Sequence, residues 1–355
     1  MKHPYSNAPA YRRWSRAMGG VSREDVDPVV SFPFKISRSD NIVTAGSCFA
    51  QHIARYLTKA EFQHYVAEPA HPLLSPEIAE AHNYGMFSAR YGNIYTSRQL
   101  LQLLERAYGK FTPEEDSWAH GDRFVDPFRP SINPDGFRTV EELRLDRDQH
   151  LTKVKLAIRR AKVFVFTLGL TETWSNKKDG SVYPVCPGVS GGVFDPDKYG
   201  LLNFSVNEVV ADMKRAIRIM RAKNPKVRII LTVSPVPLAA TAEDRHVLVS
   251  TTVSKARLRV AADILCQVLP DVHYFPSFEI ITGQHSRGDY FDDTLRNVTD
   301  DGVEHVMSLF FRHATDQSSA PPIPRRKRSS IVARQDRQRQ RVSEVLCDEA
   351  QLDVA

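Results

Sequence analysis

Long apolar runs are missing from this 355-residue chain. No stretch approaches the ~20 consecutive apolar residues that a membrane span needs. The first twenty residues, MKHPYSNAPAYRRWSRAMGG, lack the apolar core of a secretory leader, so a cytoplasmic protein is expected. Cysteine is scarce: Cys48, Cys186, Cys266 and Cys347 are scattered without a CxxC pair, which argues against a zinc module or a disulfide framework and for reduced thiols. Absent too are a GxGxxG after a strand, a GxxxxGK followed by Ser or Thr, and an HExxH. Dinucleotide, nucleoside-triphosphate and zinc-protease chemistry thereby lose their usual supports, and no cofactor or metal is expected. Nor is basic charge spread along the chain. Eight Lys and Arg between Arg325 and Arg341 meet one acid, Asp336, so the tail accounts for more than the whole net charge of +6. A nearly neutral body with a basic appendage is not the footprint of a specific nucleic-acid-binding fold. The tail is expected to be solvated, with contact to an anionic partner as the alternative reading.

What is present is an ordinary globular composition, 42% hydrophobic and 25% charged, enough for a sizeable core. Residues 1–37 mix Pro, Gly, Ser and Arg without an apolar period and read as an N-terminal arm. From Asn41 the text changes. IVTAG is a β-rich run, followed at once by SCFAQHIARYLTKA, where Phe49, Ile53, Tyr56 and Leu57 recur at helical spacing. KVFVFTLG (162–169), VRIILTVSPV (227–236) and VHYFPSFEII (272–281) read as further strands, each preceded by a helical segment. In the clearest of these, Val206, Val209, Val210, Met213, Ile217 and Met220 form one stripe that Asn224-Pro225 ends. Such alternation implies a parallel sheet. Residues 108–142 and 175–204 lack periodicity and read as long ordered excursions. The expected division is an arm (1–37), one α/β domain (38–315) and a basic flexible tail (316–355).

Ligands of doubly wound sheets bind at the carboxyl ends of the strands. Beyond the first strand stands Gly46-Ser47-Cys48. A serine between a strand end and a helix start presents its hydroxyl at the rim, where backbone N–H groups hold a developing oxyanion. It also fits a plain helix N-cap, and position alone leaves both open. Cys48 is a competing nucleophile or a small buried side chain.

The letters GSCFA at 46–50 identify a resemblance to the GSCFA domain family, and through it to the SGNH/GDSL hydrolases. NYGMFSARYGNIY (83–95), DPFRPS (126–131), FTLGLTETW (166–174), TVSPVPL (232–238) and HVLVSTTVSKARLR (246–259) carry it across about 38–312. The resemblance implies a flavodoxin-like α/β/α sandwich with a central parallel sheet and long inserted loops. It implies a serine-dependent esterase or acyltransferase acting on acyl esters, with acylated carbohydrate as one substrate class. Ser47 would be the nucleophile and one oxyanion donor through its N–H, and Asn83-Tyr84-Gly85 would supply a second N–H. Where the hydrolases carry GxND, this chain reads Gly169-Leu170-Thr171-Glu172, so the amide is absent; Thr171 would offer a hydroxyl donor instead and Glu172 would orient a neighbour or hold a substrate hydroxyl, with a cap of the next helix as the alternative for each. Where they carry DxxH, counting back from Gly302 puts Asn297, which cannot take a proton, in the histidine slot; Asp293 is the remnant acid. His246, after TVSPVPL, becomes the candidate base, with His305 as a further histidine. Lys255, Arg257, Arg259, Arg90 and Arg129 are candidate anchors for a substrate anion or ordinary ion pairs. The competing reading is a fold member that binds a sugar or acyl group without turnover.

Overall fold

The computed structural model describes residues 3–316 and Asp348. In chain order its elements are α1 (Trp14–Ala17), β1 (Ile42–Gly46), α2 (Phe49–Lys59), α3 (Pro76–Ala81), α4 (Ser97–Ala107), β2 (Trp118–His120), β3 (Arg123–Val125) and α5 (Val140–Arg160). There follow β4 (Val163–Leu168), β5 (Glu172–Asn176), β6 (Val182–Tyr183), β7 (Tyr199–Asn203), α6 (Val206–Lys223), β8 (Arg228–Val233), α7 (Val247–Val268), β9 (Val272–Tyr274), α8 (Ser277–Thr282) and α9 (Asp300–Ala314). The chain divides into two compact units, Met1–Ser37 with Phe275–Glu344 and Arg38–Tyr274 with Val345–Ala355.

The larger unit holds a parallel sheet in the order β1-β4-β8-β9. Every residue of β1 and β4 is buried, as a strand covered on both faces requires. Residues 63–65 run parallel along the free edge of β1: Ile42 N–H donates to Gln63 O at 2.9 Å, and Tyr65 N–H to Ile42 O at 2.9 Å. Counting that minimal strand, the order is 2-1-3-4-5, the flavodoxin-like arrangement, and the order reverses between β1 and β4. The helices α5, α6 and α7 precede β4, β8 and β9 and flank the sheet, giving the expected α/β/α architecture. On α6 the apolar stripe is buried except at Val206, and Ser205 with Glu208 forms a capping box.

The run VHYFPSFEII departs from expectation. The strand β9 stops at Tyr274, and 277–282 is helix α8. Pro276 has no N–H to extend a ladder, and it precedes the first turn of that helix. The two aperiodic excursions hold the hairpin β2-β3 and an antiparallel sheet β6-β5-β7. Trp118, Val125, Tyr183, Val185 and Tyr199 form their own small core. Their strands have two to five residues, too few to show a period of two.

A buried ion network anchors the segment between α3 and α4. Arg129 donates to Asp126 at 2.8 Å and to Asp146 at 2.6 Å, while Arg90 reaches Asp146 at 3.0 Å, Ile132 O at 2.8 Å and His82 O at 2.9 Å. Burial alone would raise the Asp126 carboxyl, but Arg129, Arg147 and Arg106 hold it far below the usual carboxylate range. Arg90 and Arg129 therefore carry structural ion pairs.

In the smaller unit the N-terminal arm lies against α9. Ile36 N–H donates to Ala314 O at 2.7 Å, and Asp27 pairs with His313 at 2.6 Å and Arg312 at 3.2 Å. Among the described residues no helix is long and apolar enough to cross a membrane. The basic tail, Arg325 to Arg341, lies outside the described residues.

Candidate active site

The site is built where β1 ends. Gly46 has φ +137°, and a Cβ there would lie 2.5 Å from Thr167 O. Only glycine lets β1 run this close to β4 while turning toward α2. Ser47 N–H then donates to Thr167 O at 3.1 Å, and Ala50 N–H donates to Ser47 O at 2.8 Å as the helix begins. The Ser47 side chain is buried at 2% exposure, and its Oγ makes no hydrogen bond among the described residues. The N-cap alternative falls here, since α2 starts without any side-chain cap bond. The Ser47 N–H is committed to the β1–β4 ladder, so it is not the free oxyanion donor that the resemblance implied. A buried hydroxyl left unpaired costs about 1–3 kcal/mol, so such a group calls for an explanation, a catalytic role among them.

Gly169, just past β4, faces this serine. A Cβ at 169 would lie 2.8 Å from Ser47 Cβ and 3.1 Å from Tyr95 O. Gly169 N–H and Leu170 N–H both donate to Tyr95 O, at 3.0 and 2.9 Å, and Ile94 N–H donates to Gly46 O at 2.8 Å. The chain entering from Gly92, φ +65°, is thus laced to both strand ends beside the point where strand order reverses. This brings Asn93 to the site. Its Oδ1 accepts from Gln51 Nε2, one turn beyond Ser47, at 3.2 Å, which fixes the amide with Nδ2 as its donor end. Lys255 on α7 is buried at 3% exposure and donates from Nζ to Gly169 O at 2.7 Å. Cys48 is buried.

The other expected residues are placed as follows. His246 is the exposed N-cap of α7, and its Nδ1 accepts from Leu248 N–H at 3.1 Å. In the neutral ring the proton therefore sits on Nε2. The residue stands on the same rim as Ser47, since Val247 packs against the Tyr95, Leu170 and Leu238 cluster, but it does not hydrogen-bond the serine. Thr171 is fully buried, with its hydroxyl donating to Asn203 Oδ1 at 2.7 Å and its N–H donating to Ser254 Oγ at 3.0 Å. Glu172 accepts from Thr241 Oγ1 at 2.9 Å; burial raises its carboxyl against that bond, with Glu243 adding to the rise. Asn83 sits in a turn at φ +61° and donates to Ser131 O at 2.9 Å. Gly85, φ +76°, is exposed, with no heavy atom within 4 Å of where a Cβ would stand. Asp293 and Asn297 belong to the smaller unit. Asp293 is exposed, and Asn297 donates its amide to Asp292 at 2.8 Å within one turn. There too His305 accepts or donates at Nδ1 to Tyr290 OH at 2.8 Å, and burial, then His285, pushes it down to about 4. Arg257 donates to Asn203 Oδ1 at 2.8 Å, and Arg259 lies over the Tyr274 ring at 4.1 Å.

Gln51, Asn93 and Tyr95 were not singled out from the sequence, and Lys255 reads there as an anion anchor or an ordinary ion pair. The one signal for Asn93 was its glycine: Gly92-Asn93 in SARYGNIY pairs a turn residue with an amide.

The parallel sheet with its reversal point defines a doubly wound α/β protein, and the buried hydroxyl of Ser47, faced by Gly169 at that point, marks the candidate site. The family model of the GSCFA family matches residues 41–310, and the chain belongs to that family. A search among curated proteins finds no match.

Proposed function

We propose that this protein performs serine-dependent O-acyl chemistry at Ser47, as an esterase or acyltransferase, with acylated carbohydrate as its substrate class. The observation that carries the proposal is the buried, unpartnered Ser47 Oγ facing Gly169. The resemblance to SGNH/GDSL hydrolases supports the same assignment. Ser47 Oγ attacks the acyl carbonyl carbon; the bond to the alcohol oxygen breaks, and the alcohol leaves with the proton the serine gave up. Water or an acceptor hydroxyl then takes the acyl group and frees the serine. The Asn93 amide is the proposed donor to the developing oxyanion, in the role that the missing GxND amide would have filled. Gly169 leaves the space that a side chain would close.

The proton acceptor is drawn from α7. Lys255 is assigned first, as a serine–lysine arrangement, because its Nζ reaches the carbonyl of the glycine packed on Ser47. His246 is assigned second, since its one lone pair is engaged by Leu248 N–H and is released only when that cap bond opens. Purified protein is to be tested on p-nitrophenyl acetate with Ser47→Ala, Lys255→Met and His246→Ala. Turnover lost in Ser47→Ala and Lys255→Met but kept in His246→Ala supports this assignment; loss in His246→Ala with Lys255→Met intact moves the base to the histidine. Equal rates in wild type and Ser47→Ala overturn catalysis. A second reading, ligand binding without turnover, draws on the fact that among the described residues no imidazole or carboxylate hydrogen-bonds Ser47 Oγ. An acyl adduct on Ser47 by intact mass would exclude it.

A further inference from the structure

Asp348 is the one described residue beyond Asp316, and it is buried at 6% exposure in the larger unit. Its carboxylate accepts from Asn93 Nδ2 at 3.0 Å and from Tyr95 OH at 3.5 Å, and its backbone N–H donates to the same Tyr95 oxygen at 3.0 Å. Both partners belong to the strip laced to the ends of β1 and β4 beside Ser47. Gln51 holds Asn93 with its NH2 turned toward the acid. Asp348 arrives from more than 250 residues away in sequence. It also lies outside the residues that the family model matches, which end at 310.

Two neutral donors converging on one carboxylate oxygen make a subsite for an acyl oxygen, whether that of an ester carbonyl or of a product acid. We propose that Asn93 and Tyr95 form this acyl-oxygen subsite and that Asp348 occupies it as an internal competitor of the substrate. The assignment rests on the serine-acyl reading for its meaning, but the occupancy itself can be measured separately. While Asp348 is seated, the subsite is closed to an acyl group, and apparent affinity falls in proportion to the unoccupied fraction.

The test uses the full chain as wild type, Asp348→Ala and Asp348→Ala with Asn93→Ala. Acetate is the probe, compared with chloride at equal ionic strength. Acetate is expected to raise the melting temperature of Asp348→Ala, because a ligand of the folded state stabilises it. It is expected to leave wild type, whose subsite is filled, and the double variant, whose subsite is broken, unmoved. No acetate-specific shift in Asp348→Ala overturns the subsite. In the activity arm, KM for p-nitrophenyl acetate is expected to fall about tenfold in Asp348→Ala with kcat unchanged, as for a site about nine-tenths self-occupied. An unchanged KM overturns the competition. An acetate shift without turnover in any variant keeps the occupancy and refutes the serine-acyl reading instead.

Discussion

Three glycines separate two physical costs that usually occur together, and they test the construction of the site directly. At Gly85 an added methyl enters open space but must adopt φ +76°. Left-handed backbone costs a residue with a Cβ roughly 1–2 kcal/mol, so Gly85→Ala should lose about that much stability. At Gly169 the methyl would stand 2.8 Å from Ser47 Cβ, 3.1 Å from Tyr95 O and 3.3 Å from Tyr95 Cα, two of the three being backbone atoms that cannot swing away. Overpacking of this kind costs about 1–3 kcal/mol. Gly46 combines both: φ +137° and contacts of 2.5, 2.7 and 2.9 Å with the Thr167 backbone. Gly46→Ala should therefore lose more than either, about 3 kcal/mol or more. At roughly 2–4 °C per kcal/mol for a domain of this order, thermal melts resolve the ranking. The functional consequence separates the sites again. Gly169→Ala presses on Ser47 and should lose acyl turnover far beyond its stability loss, whereas Gly85→Ala should keep full turnover. A Gly169→Ala variant that melts and turns over like wild type would refute the packing argument.

Other outcomes follow from the same structure. Ser47→Ala removes a buried hydroxyl that has no partner among the described residues, so it should hold or raise stability, by up to about 1 kcal/mol, while losing turnover; a clear destabilisation would mean the hydroxyl is paired. Arg129→Met strips the buried Asp126 of its nearest guanidinium and should cost about 3 kcal/mol or more in urea unfolding, with Arg147 at 3.2 Å limiting the loss. Burial lowers His52, with Arg55 adding to it, and burial lowers His64, each to about 4 from 6.5. A histidine depressed in the folded state binds its proton more readily when unfolded. Stability from these two is therefore complete above about pH 6.5 and is lost as pH falls toward about 4. Urea midpoints should drop between neutral and mildly acidic buffer, and less so in His64→Gln; a flat profile over that interval contradicts the burial of both rings.

Much of the fold was legible because its signals are local. The strand β1 and the strands later found as β4 and β8 are short runs of buried, β-rich residues. The stripe from Val209 to Met220 falls at helical spacing with a capping serine ahead of it. Pro276 ended a run that hydropathy alone extended to Ile281. The antiparallel strands around Trp118 and Trp174 were not legible, because a strand of two to five residues shows no period and its partner lies tens of residues away.

The sequence by itself determined where a nucleophile would stand: a glycine that can turn, a serine, and an amphipathic helix, in that order, need no distant partner to be recognised. What surrounds that serine was decided only in three dimensions. Asn93, Gly169, Lys255 and Asp348 are separated along the chain by tens to hundreds of residues and share no period or motif. They meet because strand order reverses between β1 and β4, opening a gap that loops from elsewhere must fill. The local fold of the chain entering α7 made His246 a helix cap. Hydrogen-bond direction at its Nδ1, which no sequence pattern encodes, determines which lone pair is available to a proton.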